Sequence, residues 1–340
     1  MLGFVTDPTG TGGLRLTDDL PEPDPAAGEV VVEVRAYAIN HDEVNLIARR
    51  PDGWRPGQDV AGVVVRAAAD GTGPAEGSRV VCYLDWEGWA ERAAVPVRRL
   101  ALLDNAVSFE QAAALPIAGI TALRALRVGG AVLGRNVLIT AATGGVGQFA
   151  VQLAVAAGAR VTALVSGPTR VAEARDLGAH HVLTSLEADD LGPFHVVLDG
   201  VGGDLAAQAI RRMAPGGKLA WFGNVGGPAR LELSDFFRHA QAWNAQIVGF
   251  ISPVPEETLG EDLAILADLV ADGRLRPLVG LVLDWTKTPQ AFEAMAQQHE
   301  EWIIELFAGL DAKTVQQLYT QLGALRVALV RTDTSAEEKA

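Results

Sequence analysis

The pattern of apolar and polar residues along the chain changes at about residue 136. Between residues 29 and 103, short β-type runs are separated by Gly and Pro, which is typical of a β-rich module with irregular connections. From Asn136 onward, apolar runs without polar alternation have helical stretches between them, and this pattern predicts a parallel sheet covered on both faces. We therefore expect an α/β protein in which a β-rich module precedes a parallel-sheet module.

The same pattern predicts where the elements lie. In the β-rich module we predict strands at 30–34, 60–65, 79–83 and 89–95. In the second module we predict strands at 137–140, 160–165, 181–183, 195–199, 218–222 and 246–250. Helices are predicted at 146–157, 171–177, 204–213 and 261–271, and Gly273 suits the C-terminal cap of the last one.

The C-terminal segment, residues 298–340, has a helical pattern of its own. An apolar stripe at 302–310 is followed by Gly309 and Asp311, which indicate a helix end and a new N-cap. A seam at spacings of three and four then follows, formed by Val315, Leu318, Leu322, Leu325 and Leu329. Two interpretations stay open: this helical hairpin packs on its own domain, or it joins two copies of the chain in a homodimer.

Length, composition and charge limit the kinds of protein that this chain can be. A chain of 340 residues indicates about two domains, since a domain usually has roughly 100–200 residues. With 49% hydrophobic and 21% charged residues, the composition is that of a folded globular protein. The formal net charge of −14 argues against nucleic acid as a partner, because phosphate binding needs clustered Lys and Arg.

Cysteine content and apolar runs indicate the compartment. Cys82 is the only cysteine, so the chain can form neither an intrachain disulfide nor a Cys-rich zinc site, which fits a reducing compartment. Residues 1–13 lack the pattern of a signal peptide. The longest apolar runs, such as 149–155, fall well short of the about 20 residues that cross a bilayer. We expect a cytoplasmic protein with no membrane role.

A glycine-rich turn between a predicted strand and a predicted helix indicates a dinucleotide site. Its residues are Thr143, Gly144, Gly145, Val146 and Gly147. Gly144 lets the backbone approach a phosphate, and Gly147 lets the helix lie close to the strand. The helix N-terminus then offers unpaired N–H groups to a pyrophosphate. The alternative is a tight strand-to-helix turn that binds nothing, although the strand, loop, helix and second strand in order favour the cofactor.

The end of the second predicted strand of this module indicates which dinucleotide binds. An Asp or Glu there would hold the ribose 2′-hydroxyl of NAD, and this chain has Ser166 and Arg170 instead. A hydroxyl and a guanidinium can bind a 2′-phosphate, so the position favours NADPH. In the alternative interpretation, Arg170 is a solvated helix residue.

With these residues placed, the chain resembles the zinc-independent quinone oxidoreductase branch of the medium-chain dehydrogenase/reductase superfamily over about residues 28–298. The resemblance depends on the order and spacing of many short strings rather than on any single one. Besides the glycine loop, they are Ala38-Ile39-Asn40 with Asp42, the run 56–62, Gly88-Trp89-Ala90-Glu91, the run 112–116, Gly119-Ile120-Thr121-Ala122, Leu177-Gly178-Ala179, the run 199–203, Ala214-Pro215-Gly216-Gly217 and the run 273–277.

The resemblance implies a domain organisation and a set of cofactor contacts. It implies a GroES-like substrate domain at 1–118, completed by about 257–297, a Rossmann NADPH-binding domain at 119–256, and an active site in the cleft between them. It also implies that Asn40 and Thr121 lie near the nicotinamide. Further cofactor contacts implied in the same way are Phe222, Asn224, Phe250 and Ser252.

The chain differs from the zinc-dependent relatives of that family, and its C-terminal end differs from the family itself. Zinc-dependent relatives carry a Cys near Asn40, a His-Glu pair where this chain has Gln58-Asp59, and a four-Cys lobe, so we predict no metal here. The Gly-Lys strand that closes the family's substrate domain is not found. In its place, residues 305–312 and the leucine seam resemble the terminal dimerisation helices of multiple-antibiotic-resistance-type transcription regulators, without their DNA-reading helices.

Without zinc there is no Lewis acid to polarise a simple ketone, which favours an acceptor activated by its own conjugation. We therefore expect hydride transfer from NADPH to a small quinone or α,β-unsaturated carbonyl. Tyr37 and Tyr83 are candidate proton donors, and the alternative is that both are tyrosines at the edge of the core. A different class of function also stays open: a catalytically idle NADPH sensor that signals through the helical tail.

Overall fold

The computed structural model describes residues 1–187, 192–228, 230–238 and 243–292, and Met1–Glu293 form one compact unit. The predicted tail helices at 298–340 and the last residues of the 257–297 segment lie outside the described residues. The domain boundaries given above stay predictions. The fold class, a GroES-like module with a parallel-sheet Rossmann module, is confirmed by the strands and by the matches reported below.

The first module is built on antiparallel strands. A two-stranded ribbon pairs β1 (Gly3–Thr6) with β2 (Leu14–Thr17). A five-stranded sheet has the order β6-β3-β4-β5-β7. Its strands are β3 (Glu29–Ala38), β4 (Asp59–Arg66), β5 (Arg79–Tyr83), β6 (Arg92–Pro96) and β7 (Leu100–Leu102). Two short helices accompany it, α1 (His41–Ile47) and α2 (Phe109–Ala113).

The second module is a six-stranded sheet in which every neighbouring pair is parallel, with the order β10-β9-β8-β11-β12-β13. Counted within the module this is 3-2-1-4-5-6, the dinucleotide-binding order, whose switch point lies between β8 and β11. The strands are β8 (Asn136–Ile139), β9 (Arg160–Leu164), β10 (His181–Leu183), β11 (Phe194–Asp199), β12 (Met213–Trp221) and β13 (Gln246–Gly249). The helices are α3 (Ile120–Gly129), α4 (Gly145–Ala156), α5 (Val171–Asp176), α6 (Gly203–Ile210), α7 (Asp235–Arg238) and α8 (Leu259–Ala271).

Four predicted elements were wrong at one end. The strand predicted at 30–34 extends to Ala38, and the strand predicted at 218–222 begins at Met213. The helix predicted at 204–213 ends at Ile210, because Met213 is fully buried and pairs with Phe194 as the first residue of β12. The strand predicted to begin at residue 89 begins at Arg92. Trp89 is buried just before it, where its ring lies edge-on to that of Phe292 at 5.6 Å. At Met213 and at Trp89, side-chain burial rather than local pattern sets the boundary.

One hydrophobic core joins the two modules. Buried residues of the antiparallel sheet, including Ala61 and Val81, pack in the same cluster as Leu115, Ile139 and Phe149. The link between the modules is a π-helical turn, Leu115–Gly119, which continues directly into α3. Because this turn is buried between the sheets, it fixes where the carboxyl end of the parallel sheet meets the first module.

A buried ion pair connects the two helices of this junction. Arg124 on α3 donates from Nε to Oδ2 of Asp262 on α8 at 2.6 Å, with side chains 7% and 1% exposed. The same guanidinium donates to the hydroxyl of Thr258 at 2.9 Å and to the carbonyl of Ser252. Arg127, which is half exposed, pairs with the other oxygen of Asp262. The pair therefore holds the loop that follows β13.

We expect Asp262→Ala to lower the free energy of unfolding by about 3 kcal/mol, because it leaves the buried Arg124 charge uncompensated. Urea unfolding followed by circular dichroism measures this loss. Asp268→Ala is the matched control, since Asp268 lies on the same helix and is exposed, and it should change the value by less than about 0.5 kcal/mol. Equal losses in the two variants would contradict a structural role for the pair.

Candidate active site

The glycine loop follows β8 and leads into α4. A Cβ at Gly147 would lie 2.1 Å from the carbonyl oxygen of Ala141 and 2.7 Å from the Cα of Ala142, so only glycine fits there without backbone movement. Gly145 is exposed and has no atom within 4 Å of where its Cβ would stand. Gly144 is the N-cap of the helix. The loop thus has a closed side against β8 and an open side from which a phosphate can approach the helix N-terminus.

Next to this loop, a hydrogen bond between Thr140 and Asp199 connects the two strands at the switch point of the parallel sheet. Thr140, which follows β8, donates to Oδ1 of Asp199 at the end of β11 at 2.7 Å, and it accepts from the amide of Gly200 at 3.1 Å. The amides of Val201 and Gly202 also donate to Asp199, each at 3.1 Å. Asp199 is fully buried, and burial raises its pKa above the usual range. The two loops that flank the cleft are therefore fixed to each other.

Four of the proposed cofactor contacts lie beyond the ends of the neighbouring strands. Phe222 follows β12 and Phe250 follows β13, and their ring centroids are 6.2 Å apart. Gly202 makes room for Asn224, because a Cβ there would stand 2.6 Å from the Asn224 side-chain oxygen. Ser252 is held through its carbonyl by Arg124. The structure thus brings these residues to the carboxyl edge of the parallel sheet.

The residues predicted to choose the dinucleotide lie after β9. Ser166 is partly buried two residues beyond the strand. The Arg170 Nη1 lies 3.2 Å from Oε2 of Glu173, and the side chains are 34% and 35% exposed. Such a pair holds the guanidinium weakly. Arg170 therefore combines part of both interpretations: it bonds along its own helix, yet the guanidinium stays accessible to a ligand.

Asn40 and Thr121 are joined through a buried carboxylate. Asn40 Nδ2 donates to Oδ2 of Asp59 at 3.0 Å, and the amide of Ile117 donates to Oδ1 of Asp59 at 3.1 Å. The Thr121 hydroxyl donates to the carbonyl of Ile117 at 2.6 Å. Burial raises the pKa of Asp59 to about 7. A second carboxyl lies behind Asn40, that of Glu43, whose pKa burial raises to about 8.

The two candidate tyrosines lie on opposite faces of the antiparallel sheet. Tyr83 is paired with Asp59 across the sheet and belongs to the core shared with the second module. Its hydroxyl lies 3.5 Å from Nε2 of Gln58. Tyr37 is paired with Val60, one position along, so it points to the other face. There its hydroxyl contacts Thr288 and the carbonyl of Trp285, and its ring stacks on that of Trp89 at 5.4 Å. The register favours Tyr83.

Sequence reasoning missed the polar groups that organise this site. Asp59 is visible in the sequence only as part of a string, and no motif assigns a role to Glu43, Asp199 or Arg124. Their partners are far away in sequence: 58 residues separate Asp59 from Ile117, and 138 separate Arg124 from Asp262. The one signal that could have found them is a charged residue within an otherwise apolar strand or helix, which a buried pair requires.

The residues near Asn40 do not fit a zinc ion. Asn40 and Gln58 offer amides, which are poor zinc ligands, and the Asp59 carboxylate is already bonded to Asn40 and Ile117. Within the described ranges, no group of three or more His, Cys, Asp or Glu is placed to hold a metal ion.

The same part of the chain contains no helix that is long and apolar enough to cross a membrane.

Comparison with known families identifies both modules. The alcohol dehydrogenase GroES-like domain model matches residues 26–104, and the zinc-binding dehydrogenase model matches residues 145–267. The quinone oxidoreductase of Thermus thermophilus, solved alone and with NADPH, is 32% identical. It superposes with a TM-score of 0.73, covering 87% of this chain and 96% of that one. The chain therefore belongs to the medium-chain dehydrogenase/reductase superfamily.

Curated relatives include a quinone oxidoreductase and polyketide synthases. The mouse quinone oxidoreductase is 26% identical over 82% of this chain and 89% of its own length. A polyketide synthase of Streptomyces halstedii, GfsB, is 31% identical over 79% of this chain, and a polyketide synthase system protein of Streptomyces orinoci, NorB, is 33% identical over 82%. The chain spans only 5% and 13% of the lengths of those two synthases.

We expect Gly147→Ala to destabilise the free protein by about 1–3 kcal/mol, because the new methyl group overlaps the backbone of Ala141 and Ala142. Gly145→Ala should leave the stability within about 0.5 kcal/mol but weaken NADPH binding, because its methyl group fills only the open side. Urea unfolding and a fluorescence titration with NADPH measure the two effects. If the two variants unfold alike, the close approach at Gly147 is not a real constraint.

Proposed function

We propose that the chain is an NADPH-dependent, zinc-independent reductase of quinones or α,β-unsaturated carbonyls. The observation that carries this proposal is the composition of the cleft. A dinucleotide cradle at the switch point is combined with a polar cluster made of an amide, a hydroxyl and a carboxylate, namely Asn40, Thr121 and Asp59. Such a cluster can orient a nicotinamide, whereas it lacks the thiolate and imidazole ligands that a catalytic zinc needs.

The preference for NADPH is supported by the end of β9. Ser166 and Arg170 stand where a carboxylate would select NAD, and both can bond a 2′-phosphate. The Thermus relative was solved in complex with NADPH, which agrees with this assignment. The glycine loop and the N-terminus of α4 would hold the pyrophosphate, and Phe222, Asn224, Phe250 and Ser252 would line the nicotinamide side.

When bound, NADPH supplies the hydride. Asn40 and Thr121 would hold its carboxamide, and Phe222 and Phe250 would exclude water from the nicotinamide site. An acceptor activated by conjugation receives negative charge on its oxygen, which must then be protonated. Tyr83 is the better placed of the two tyrosines to donate that proton, because it faces the shared core and pairs with Asp59, whereas Tyr37 points to the other face of the sheet.

The substrate classes follow from the relatives. The relatives from mouse and Thermus thermophilus are named quinone oxidoreductases, and another, from Bos taurus, is named prostaglandin reductase-3. Within the synthases, the matching stretch is a small part of a long chain. The substrate proposed here is a small molecule with a conjugated carbonyl. No observation on the described residues favours the sensor interpretation, whose tail lies outside them.

The direct test is oxidation of NADPH, followed by its absorbance, with a panel of small quinones and enones. We expect turnover with at least one class, abolished by omission of the acceptor and unaffected by a metal chelator. Tight NADPH binding without turnover across the panel would argue for a binding protein instead. Stoichiometric zinc in active protein would contradict the zinc-independent mechanism.

We expect Arg170→Ala to raise the KM for NADPH about tenfold and to leave the KM for NADH unchanged, since a lost guanidinium–phosphate contact of about 1.4 kcal/mol is a factor of ten. Arg175→Ala on the same helix is the matched control, because Arg175 is exposed and lies beyond the turn that follows β9. Steady-state kinetics with both dinucleotides measure the ratio. Unchanged NADPH kinetics would assign Arg170 to its contact with Glu173 alone.

A further inference from the structure

Asp59 occupies a position that joins the two modules. It is the first residue of β4 and is 1% exposed. Its Oδ2 accepts from the side chain of Asn40, in the loop after β3. The amide of Ile117, in the π-helical turn that leads into α3, donates to both oxygens, at 3.1 Å to Oδ1 and 3.3 Å to Oδ2. A single carboxylate therefore spans the junction at which the cleft opens.

The bond to Ile117 reaches Thr121 through the backbone. Ile117 donates its N–H to Asp59 and accepts the Thr121 hydroxyl at its carbonyl, at 2.6 Å. Because the hydroxyl hydrogen is used there, Thr121 offers a ligand only its lone pairs, which suits the N–H of a carboxamide. The orientation of Asn40 and that of Thr121 are thus set by one group.

We propose that Asp59 is a positioning residue, which couples Asn40 and Thr121 so that the two nicotinamide contacts keep one geometry. This inference rests on the proposed function, because it takes the nicotinamide to bind between them. An asparagine at position 59 would keep the shape but replace one acceptor oxygen by an NH2 group, so one of the donors that Asp59 accepts from would be left facing another donor. Such a change would remove the coupling between Asn40 and Thr121 and would leave the packing around residue 59 in place.

The charged groups around Asp59 lead to a second prediction, which concerns the pH dependence of NADPH binding. Glu43 faces it from α1 and Tyr83 from β5, and Glu43 also fixes the backbone amide of Asn40 with Oε2 at 2.8 Å. Two buried carboxyls this near each other do not both ionise readily. Protonation of Asp59 on lowering the pH through about 7 removes an acceptor, so NADPH affinity should fall there.

The test is a double-mutant cycle on the full chain with Asp59→Asn and Asn40→Ala. We expect Asp59→Asn to lower kcat about 10–100-fold, the size that small misplacement of reacting groups produces, and to weaken NADPH binding. In the Asn40→Ala background the same change should have much less effect, because the coupled partner is already absent. Additive effects, or wild-type kcat and KM in Asp59→Asn, would overturn the proposal.

Thr6→Val is the control for lost stability. Thr6 is buried in the first module, where its hydroxyl donates to the carbonyl of Pro51 at 2.6 Å, away from both Asn40 and Ile117. It should leave kcat and KM within about twofold while lowering the stability of the fold, since a buried hydrogen bond is lost. An equal loss of kcat in Thr6→Val would show that Asp59 acts through stability alone.

A second variant, Asp59→Glu, keeps the proposal testable if Asp59→Asn folds poorly. Asp59→Glu keeps the charge but moves it by one methylene, so kcat should fall while the decline of NADPH affinity below about pH 7 remains. In Asp59→Asn that decline should disappear. Fluorescence titration with NADPH reads these changes without turnover. If wild type binds NADPH but reduces no acceptor, the proposed function fails while the Asp59 coupling is still measured, so the two failures are distinguishable.

Discussion

The hydrophobic core shared by the two sheets is the constraint on which the site depends. Ala61 and Val81 on one sheet and Ile139 and Phe149 in the other module are buried in one cluster, with Leu115 between them. Because a close-packed core transmits position, the carboxyl edge of the parallel sheet can face the first module in only one way. The polar groups that line the cleft are attached to the edges of that core.

Buried polar groups at the cleft have hydrogen-bond partners that offset the free energy of their desolvation. A buried carboxylate without bonds is expensive, and Asp59, Asp199 and Asp262 are each bonded to a group on another chain element. Asp199 joins the end of β11 to that of β8 through Thr140, Asp59 joins β4 to the turn before α3, and Asp262 joins α8 to α3. The apolar core sets the distance between the modules, and these bonds set the orientation of their loops.

The sequence predicted most of what depends on local pattern. The parallel strands, the glycine loop and the helix that follows it could be identified because apolar runs and a strand–Gly–helix order are visible within a few residues. The ends of α6 and β6 could not, since buried Met213 and Trp89 are placed by tertiary packing. The choice between Tyr37 and Tyr83 depends on strand register, and a shift of one residue exchanges the faces.

The same limit explains why the polar cluster was not foreseen, and what it changes. Asn40, Asp59 and Thr121 each occur in strings that indicate a family, but a hydrogen bond between residues 19 or 58 positions apart has no local signature. On the proposed function, these bonds make the cleft work differently from a zinc site. A metal activates a carbonyl by charge, whereas an amide, a hydroxyl and a carboxylate act by holding the cofactor in place. On the proposed function, the chain thus relies on alignment and on an acceptor that conjugation has already activated, which is why a single buried carboxylate at the module junction can matter for the rate.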